Sequence, residues 1–187
     1  MSRITIGLFL TVLATAVALQ AQAQRTFVSA GVSYLRPSGA LADSVGLNSG
    51  VQFDVRYIWS PTRHWQFGIG GSWTSAALGM TSQGDRSSTS LSITQITLTS
   101  AWRPLKHGWS PFIGLEGGFG YLIPPDSLTA LPAFESTLRA TAAAIAGISV
   151  PLSERVDIAA SARFSYLPAS VPLDLRSLTL GLVYRIR

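Results

Sequence analysis

The chain has 187 residues, no cysteine, a charged fraction of 12 % and a formal net charge of +5 at pH 7. The lack of cysteine excludes a disulfide framework, a thiolate metal site and a cysteine nucleophile, and the singly scattered arginines form no basic run or stripe that would bind nucleic acid. Charged residues are about half as frequent as in a soluble domain, so the composition favours a membrane protein, and the length favours one domain.

The first 23 residues predict a cleavable signal peptide, which leaves a mature domain over residues 24–187. Arg3 provides a positive start, residues 4–18 form an apolar run, and Ala21-Gln22-Ala23 has the small-x-small pattern of a cleavage site. The apolar run is too short to span a bilayer comfortably as a helix. An uncleaved N-terminal anchor is the alternative.

The rest of the chain contains eight segments in which apolar and polar residues alternate with the period of a β-strand. In the second segment, Val51 and Phe53 share one face, and Gln52 and Asp54 share the other. Each segment is close to the roughly nine to eleven residues that a tilted transmembrane strand needs. We predict strands over residues 27–36, 50–59, 65–75, 93–103, 111–122, 138–150, 156–166 and 176–186.

Each strand has two alternating sets of positions, an apolar phase and a polar phase, and the sizes of their side chains indicate which set faces outward. Eight strands enclose a lumen only wide enough for side chains to fill, and the polar phase is too small and polar to be a hydrophobic core. The apolar phase must therefore face lipid. The predicted fold is all-β, an eight-stranded antiparallel up-and-down transmembrane β-barrel preceded by a cleavable signal peptide. A secreted soluble barrel, with the apolar phase inward, is the alternative.

Two segments fit this pattern less well. The alanine-rich stretch 138–149 is also a good helix former, but its inward phase of small and polar residues favours a strand. In the fourth strand, Leu91 and Ile93 are out of phase with Ile96 and Leu98. We therefore expect either a β-bulge near Gln95 or an upper end that is lifted away from the barrel.

Connection lengths and aromatic positions predict the orientation. Outer-membrane barrels have short periplasmic turns and longer external loops, and the connections here alternate in that way, so both termini are expected in the periplasm. Two girdles of aromatic residues are expected at the membrane interfaces. The girdle near the short turns comprises Phe27, Trp59, Trp65, Trp102, Trp109 and Tyr184, and the other comprises Tyr34, Trp73, Tyr121 and Tyr166.

The last strand carries the most specific motif. Thr179, Gly181, Tyr184 and Ile186 match the polar-x-Gly-x-x-apolar-x-apolar signal that the barrel-assembly machinery reads in eight-stranded outer-membrane barrels, although that signal usually ends in an aromatic residue. The chain thus resembles the OmpA-transmembrane and OmpX-like barrel families. The resemblance implies a location in the bacterial outer membrane, with outer-membrane lipid and the assembly machinery as partners.

Charged residues on the inward phase form the first candidate site. A charge in a water-poor lumen requires a partner. We expect Asp157 to pair with Arg185, and Glu116 and Asp54 to share Arg56 or Arg163. The favoured interpretation is a structural plug, and an ion path or gate is the alternative. The predicted lumen charge network comprises Asp54, Arg56, Glu116, Arg139, Asp157, Arg163 and Arg185.

Enzymatic chemistry has little support in the sequence. Lipid A deacylases of this architecture use a His-x-Ser pair with a carboxylate near the external face, whereas His64 and His107 fall in predicted periplasmic turns, and Ser110 is one place too far from His107. A catalytic triad needs its base and nucleophile within hydrogen-bond reach, and two histidines on separate turns make a poor metal site. We therefore predict no catalytic residue, no metal and no cofactor.

The predicted role is a small, side-chain-plugged barrel with a structural or surface-interaction function, whose loops contact extracellular ligands. A lipid-modifying barrel enzyme and a narrow ion channel are the alternatives. Arg36 and Arg176, at the external ends of the first and last strands, are candidates for contact with lipopolysaccharide phosphates, because arginine binds phosphate in a bidentate manner. Simple snorkelling to the rim is the alternative interpretation for these two residues.

Overall fold

A computed structural model describes residues 25–39, 42–43, 46–78, 90–104, 108–123, 138–168 and 173–186. All eight predicted strands are confirmed, and the predicted signal peptide lies outside the described residues. Within those residues, no helix has the length and apolar character needed to cross a membrane. The strands are β1 (Arg25–Ser38), β2 (Leu47–Ser60), β3 (Trp65–Leu78), β4 (Ser90–Trp102), β5 (Ser110–Ile123), β6 (Leu138–Pro151), β7 (Val156–Leu167) and β8 (Leu173–Arg185).

The strands close into one barrel in which each strand pairs antiparallel with its neighbours in the chain. Closure is made by β1 and β8, where Gly31 lies opposite Gly181. Because every described strand has two partners, this barrel leaves no sheet edge to pair with another chain. The alanine-rich stretch forms strand β6 between β5 and β7, so the helical alternative is wrong and the predicted fold class is confirmed.

The two faces of the barrel have opposite chemistry. Outward residues in mid-strand are large and apolar, such as Leu115 at 68 % exposure and Leu180 at 63 %. Inward residues at the same height are small or polar and buried, such as Ser33 and Thr97. A continuous exposed apolar belt of this extent is foreign to a protein surface in water. The distribution matches a barrel whose outer face contacts lipid.

Strand β4 has no bulge and no lifted end, so that expectation is wrong. Its pairing with β3 is continuous from Ser90 to Trp102, and its pairing with β5 is continuous from Ser92 onwards. Leu91 and Ile93 face the lumen instead, where each is 1 % exposed. They look out of phase only because the lumen at this height is apolar, so that apolar residues occupy both faces of the strand.

The aromatic girdles are present with two exceptions. Phe27 was expected at the interface near the short turns, but it lies on the inward phase and is 6 % exposed. Trp59 is also 6 % exposed, because it packs among other aromatic rings, with Tyr57 and Phe67 at centroid distances of 6.3 Å and 6.4 Å. The other eight predicted girdle residues are exposed.

Candidate functional site

An ion-pair network crosses the lumen at mid-height. Arg56 on β2 contacts Asp54 at 3.1 Å between Nε and Oδ1, and it reaches across to Glu116 on β5. Arg163 on β7 contacts the same carboxylate at 2.7 Å between Nε and Oε2. The structure thus brings together four of the seven predicted lumen charges. Their formal charges cancel, as a buried ionic cluster requires.

Neutral polar side chains extend this network to β3 and β4. Gln95 Oε1 accepts hydrogen bonds from Arg163 Nη2 and from Ser72 Oγ, each at 3.3 Å. Thr99 Oγ1 donates to Glu116 Oε1 at 3.3 Å. Sequence reasoning missed these three polar residues. Strict alternation along β4 places Gln95 and Thr99 on one inward face and would have identified them.

The predicted pair of Asp157 and Arg185 does not form. Asp157 Oδ2 accepts a hydrogen bond from Ser149 Oγ at 3.3 Å, and Arg185 Nη1 donates to the backbone carbonyl of Glu154 at 2.9 Å. The two residues lie low on neighbouring strands as expected, but closer partners occupy each of them. Arg139 lies higher, on β6 opposite Gly120.

An apolar cluster fills the lumen at the end of the long connections, and sequence reasoning missed it. Its members come from several strands and from the connection between β1 and β2, so buried leucines meet across the lumen. A water-filled opening at this height would leave such side chains hydrated. The cluster comprises Leu35, Ala42, Leu47, Ala76, Leu91, Ile93, Leu122, Leu167, Leu173 and Leu175.

The opposite end of the lumen is more open. A cavity of about 80 Å³ lies on the short-turn side of the ion-pair network, lined by Phe27, Arg56 and Arg103 among others. A second, larger cavity of about 630 Å³ forms the mouth between the short turns and shares Phe27 and Arg103 with the first. Burial lowers the pKa of the Arg103 guanidinium, attraction from Asp157 opposes that shift, and repulsion from Arg185 adds to it.

Comparison with known proteins gives matches of structure alone. No family model and no curated protein sequence matches the chain. Neisserial surface protein A is 12 % identical, with a TM-score of 0.62, over 85 % of this chain and 96 % of that one. Ail, the attachment invasion locus protein of Yersinia pestis, is 18 % identical, with a TM-score of 0.50, over 87 % of this chain and 98 % of that one. The N-terminal barrel domain of Pseudomonas aeruginosa OprF is 11 % identical, with a TM-score of 0.51, over 86 % of this chain and 97 % of that one.

The protein has the fold of an eight-stranded outer-membrane β-barrel. At identities this low the likeness establishes the fold and leaves the function open. Arg36 and Arg176 of this barrel lie directly opposite each other on β1 and β8, and both are exposed. The Arg176 guanidinium lies 5.8 Å from the centroid of the Phe164 ring. In the C-terminal motif, Tyr184 and Ile186 face outward and are exposed.

Metal-ligating side chains do not converge in the described part of the barrel. His64 lies exposed in the turn after β2, where its Nδ1 is 3.0 Å from the carbonyl oxygen of Arg103. His107 lies outside the described residues. Among the residues that are described, no group of three or more His, Cys, Asp or Glu is placed to hold a metal ion.

Proposed function

We propose that the protein is a non-conducting barrel of the bacterial outer membrane whose lumen is plugged by its own side chains, and that its role is structural or surface-interacting. The ion-pair network around Glu116 supports the plug most directly, because a carboxylate that contacts Arg56 and Arg163 bridges opposite walls of the lumen. The apolar cluster supports a second closure at the long-loop end. An eight-stranded lumen is narrow enough for side chains to fill.

Conductance across a planar bilayer tests the plug. Refolded mature protein is expected to insert without steady conductance. Discrete conductance steps would contradict the plug and favour the second candidate, a narrow ion channel gated by the ion-pair network. The cavities on the short-turn side of the network are the observation that keeps this candidate open.

We extend the proposal to the orientation of the barrel in the membrane and to the removal of its signal peptide. Short turns and both chain ends would face the periplasm, the long loops would face outward, and the signal peptide would be removed after Ala23. The C-terminal motif, with Thr179, Gly181, Tyr184 and Ile186, would be read by the barrel-assembly machinery. Labelling of intact cells at single cysteines introduced into a long and a short connection tests the orientation. Labelling only in the short connection would contradict it.

Surface interaction would involve lipid as well as extracellular ligands. Arg36 and Arg176 form an outward-facing pair of positive charges at the long-loop rim, where lipopolysaccharide phosphates would be bound. The double variant Arg36→Gln/Arg176→Gln should bind lipopolysaccharide more weakly than the wild type when lipopolysaccharide is titrated into the protein in a neutral detergent. Unchanged binding would favour simple snorkelling to the rim.

The loops are the natural contact for other ligands. Ail, which is similar in fold, has been solved in complex with the heparin analogue sucrose octasulfate, and a polyanion is therefore a reasonable first probe. An enzymatic role stays the weaker alternative, because His64 lies at the short-turn end, away from the rim where a deacylase-like site would be expected. Assay of lipid A acyl release by the folded protein tests it.

A further inference from the structure

In the described part of the chain, four arginines surround one cavity at the short-turn mouth of the barrel. Arg25, Arg63, Arg103 and Arg185 come from four different parts of the chain, and they line the cavity of about 630 Å³ described above. We call these four residues the arginine mouth. The cavity lies within the size range of small-molecule sites, which is roughly 300 to 1,000 Å³.

The charges of the mouth are unbalanced. Among the described residues, only two carboxylates, Asp157 and Glu154, line the same cavity, so the formal excess over those residues is two positive charges (four minus two). None of the ion pairs within 4.0 Å in the described part of the chain involves the arginine mouth. Asp157 instead accepts a hydrogen bond from Ser149. The mouth therefore contrasts with the mid-height network, where arginines and carboxylates match one to one.

Two of the guanidinium groups are held in place by aromatic rings. Arg103 lies 5.4 Å from the centroid of Phe112, and Arg185 lies 5.9 Å from the centroid of Phe27. The Nε atoms of Arg103 and Arg185 are buried and lack a hydrogen-bond partner. Both guanidinium groups have thus already lost part of their water, which lowers the cost of binding an anion there. Burial also lowers the pKa of Arg103, in keeping with a guanidinium that has lost water.

We infer that the arginine mouth is a binding site for a phosphate group. Phosphate carries up to two negative charges and several acceptor oxygens, which matches an excess of two positive charges and several arginine donors. A single carboxylate would supply one charge and two oxygens and would leave most of these donors unpaired. The phosphate would belong to a small phosphorylated solute or to the headgroup of a membrane phospholipid that reaches over the rim. This site is separate from the proposed plug and surface role and does not depend on them.

Inorganic pyrophosphate is the probe for the soluble source. Titration calorimetry on the refolded mature protein in a neutral detergent should show saturable one-to-one binding. The double variant Arg63→Gln/Arg103→Gln should weaken that binding about a hundredfold or more, since each lost charge-assisted hydrogen bond is worth a factor of about ten or more. Arg63→Gln alone changes only an exposed turn residue, and it should weaken binding by a smaller factor without affecting folding.

Arg155→Gln is the matched control, because Arg155 is exposed in the nearby turn and does not line the mouth cavity. It removes the same charge, and binding should stay within about twofold of wild type if the site is local. Phosphatidylglycerol added to the micelles probes the headgroup source, and binding of this lipid alone would assign the site to a lipid. Absence of saturable binding for both probes, or an equal loss in Arg155→Gln, would overturn the proposal.

Discussion

Replacing Glu116 with glutamine tests whether the lumen is dry at mid-height. The Glu116 side chain has no exposed surface, and its carboxylate contacts the guanidinium groups of Arg56 and Arg163. Glutamine keeps the shape of the side chain and removes its charge. Arg56 then retains only Asp54 as a charged partner, and Arg163 retains only the neutral oxygen of Gln95.

The magnitude follows from burial. Removing one partner of a buried ion pair leaves an uncompensated charge and costs about 3 to 5 kcal/mol, whereas exposed ion pairs contribute about 0 to 1 kcal/mol. The Arg163 side chain is 4 % exposed and the Arg56 side chain is 16 % exposed. We therefore expect Glu116→Gln to lower the free energy of unfolding by about 3 kcal/mol or more.

Urea unfolding of the protein in phospholipid vesicles, followed by gel mobility without boiling, measures this change. Glu154→Gln is the control, because Glu154 is exposed in the turn between β6 and β7, and its effect should stay within about 0.5 kcal/mol. A loss below about 1 kcal/mol in Glu116→Gln would mean that water solvates the two arginines. That result would refute the plug and favour a hydrated path.

Two further substitutions test the outer face and the strand packing. Leu115→Arg places a charge on the outward face in mid-strand and should lower the free energy of unfolding by about 2 to 4 kcal/mol if that face contacts lipid. The control Leu152→Arg lies in an exposed turn and should change that free energy very little. Equal effects of the two variants on unfolding in vesicles would contradict a lipid-facing belt. Gly118→Ala should destabilise the barrel by about 1 to 3 kcal/mol, because a Cβ atom there would collide with the carbonyl group of Ile96 on β4. Gly117→Ala is the control, since its Cβ would meet nothing within 4 Å, and similar losses in both variants would show that close strand approach is not the cause.

The sequence predicted the lipid-facing residues well, but it predicted poorly which residues fill the lumen near the long connections. Period-two alternation identifies lipid-facing residues such as Leu178 and Leu180 because the lipid demands apolar side chains without interruption. The lumen near the long connections is apolar as well, so Leu91 and Ile93 break the alternation along β4 and imitate the sequence signal of a bulge. Phe27 was misplaced for a related reason, since an aromatic residue at a strand end fits both an interface and a lumen.

Pairing across the lumen was predictable only where charges are few at one height. Glu116 and Asp54 had Arg56 and Arg163 as their possible partners, and the structure uses both arginines. Near the short turns the choice was wider, because Ser149 reaches Asp157 and a backbone carbonyl reaches Arg185. Such contacts depend on strand stagger and turn geometry, which hydrophobic periodicity does not encode.

Site-directed spin labelling along β8 tests most directly that the apolar phase faces lipid. The chain has no cysteine, so single variants Leu178→Cys and Leu180→Cys can be labelled without background and placed in phospholipid vesicles. The account predicts that labels at both sites collide often with oxygen, which is concentrated in the bilayer, and rarely with a water-soluble nickel chelate. Labels at Ser177→Cys and Thr179→Cys should be shielded from both. If the labels at positions 178 and 180 collide with the chelate as often as a label at Leu152→Cys does, that result would contradict the membrane barrel.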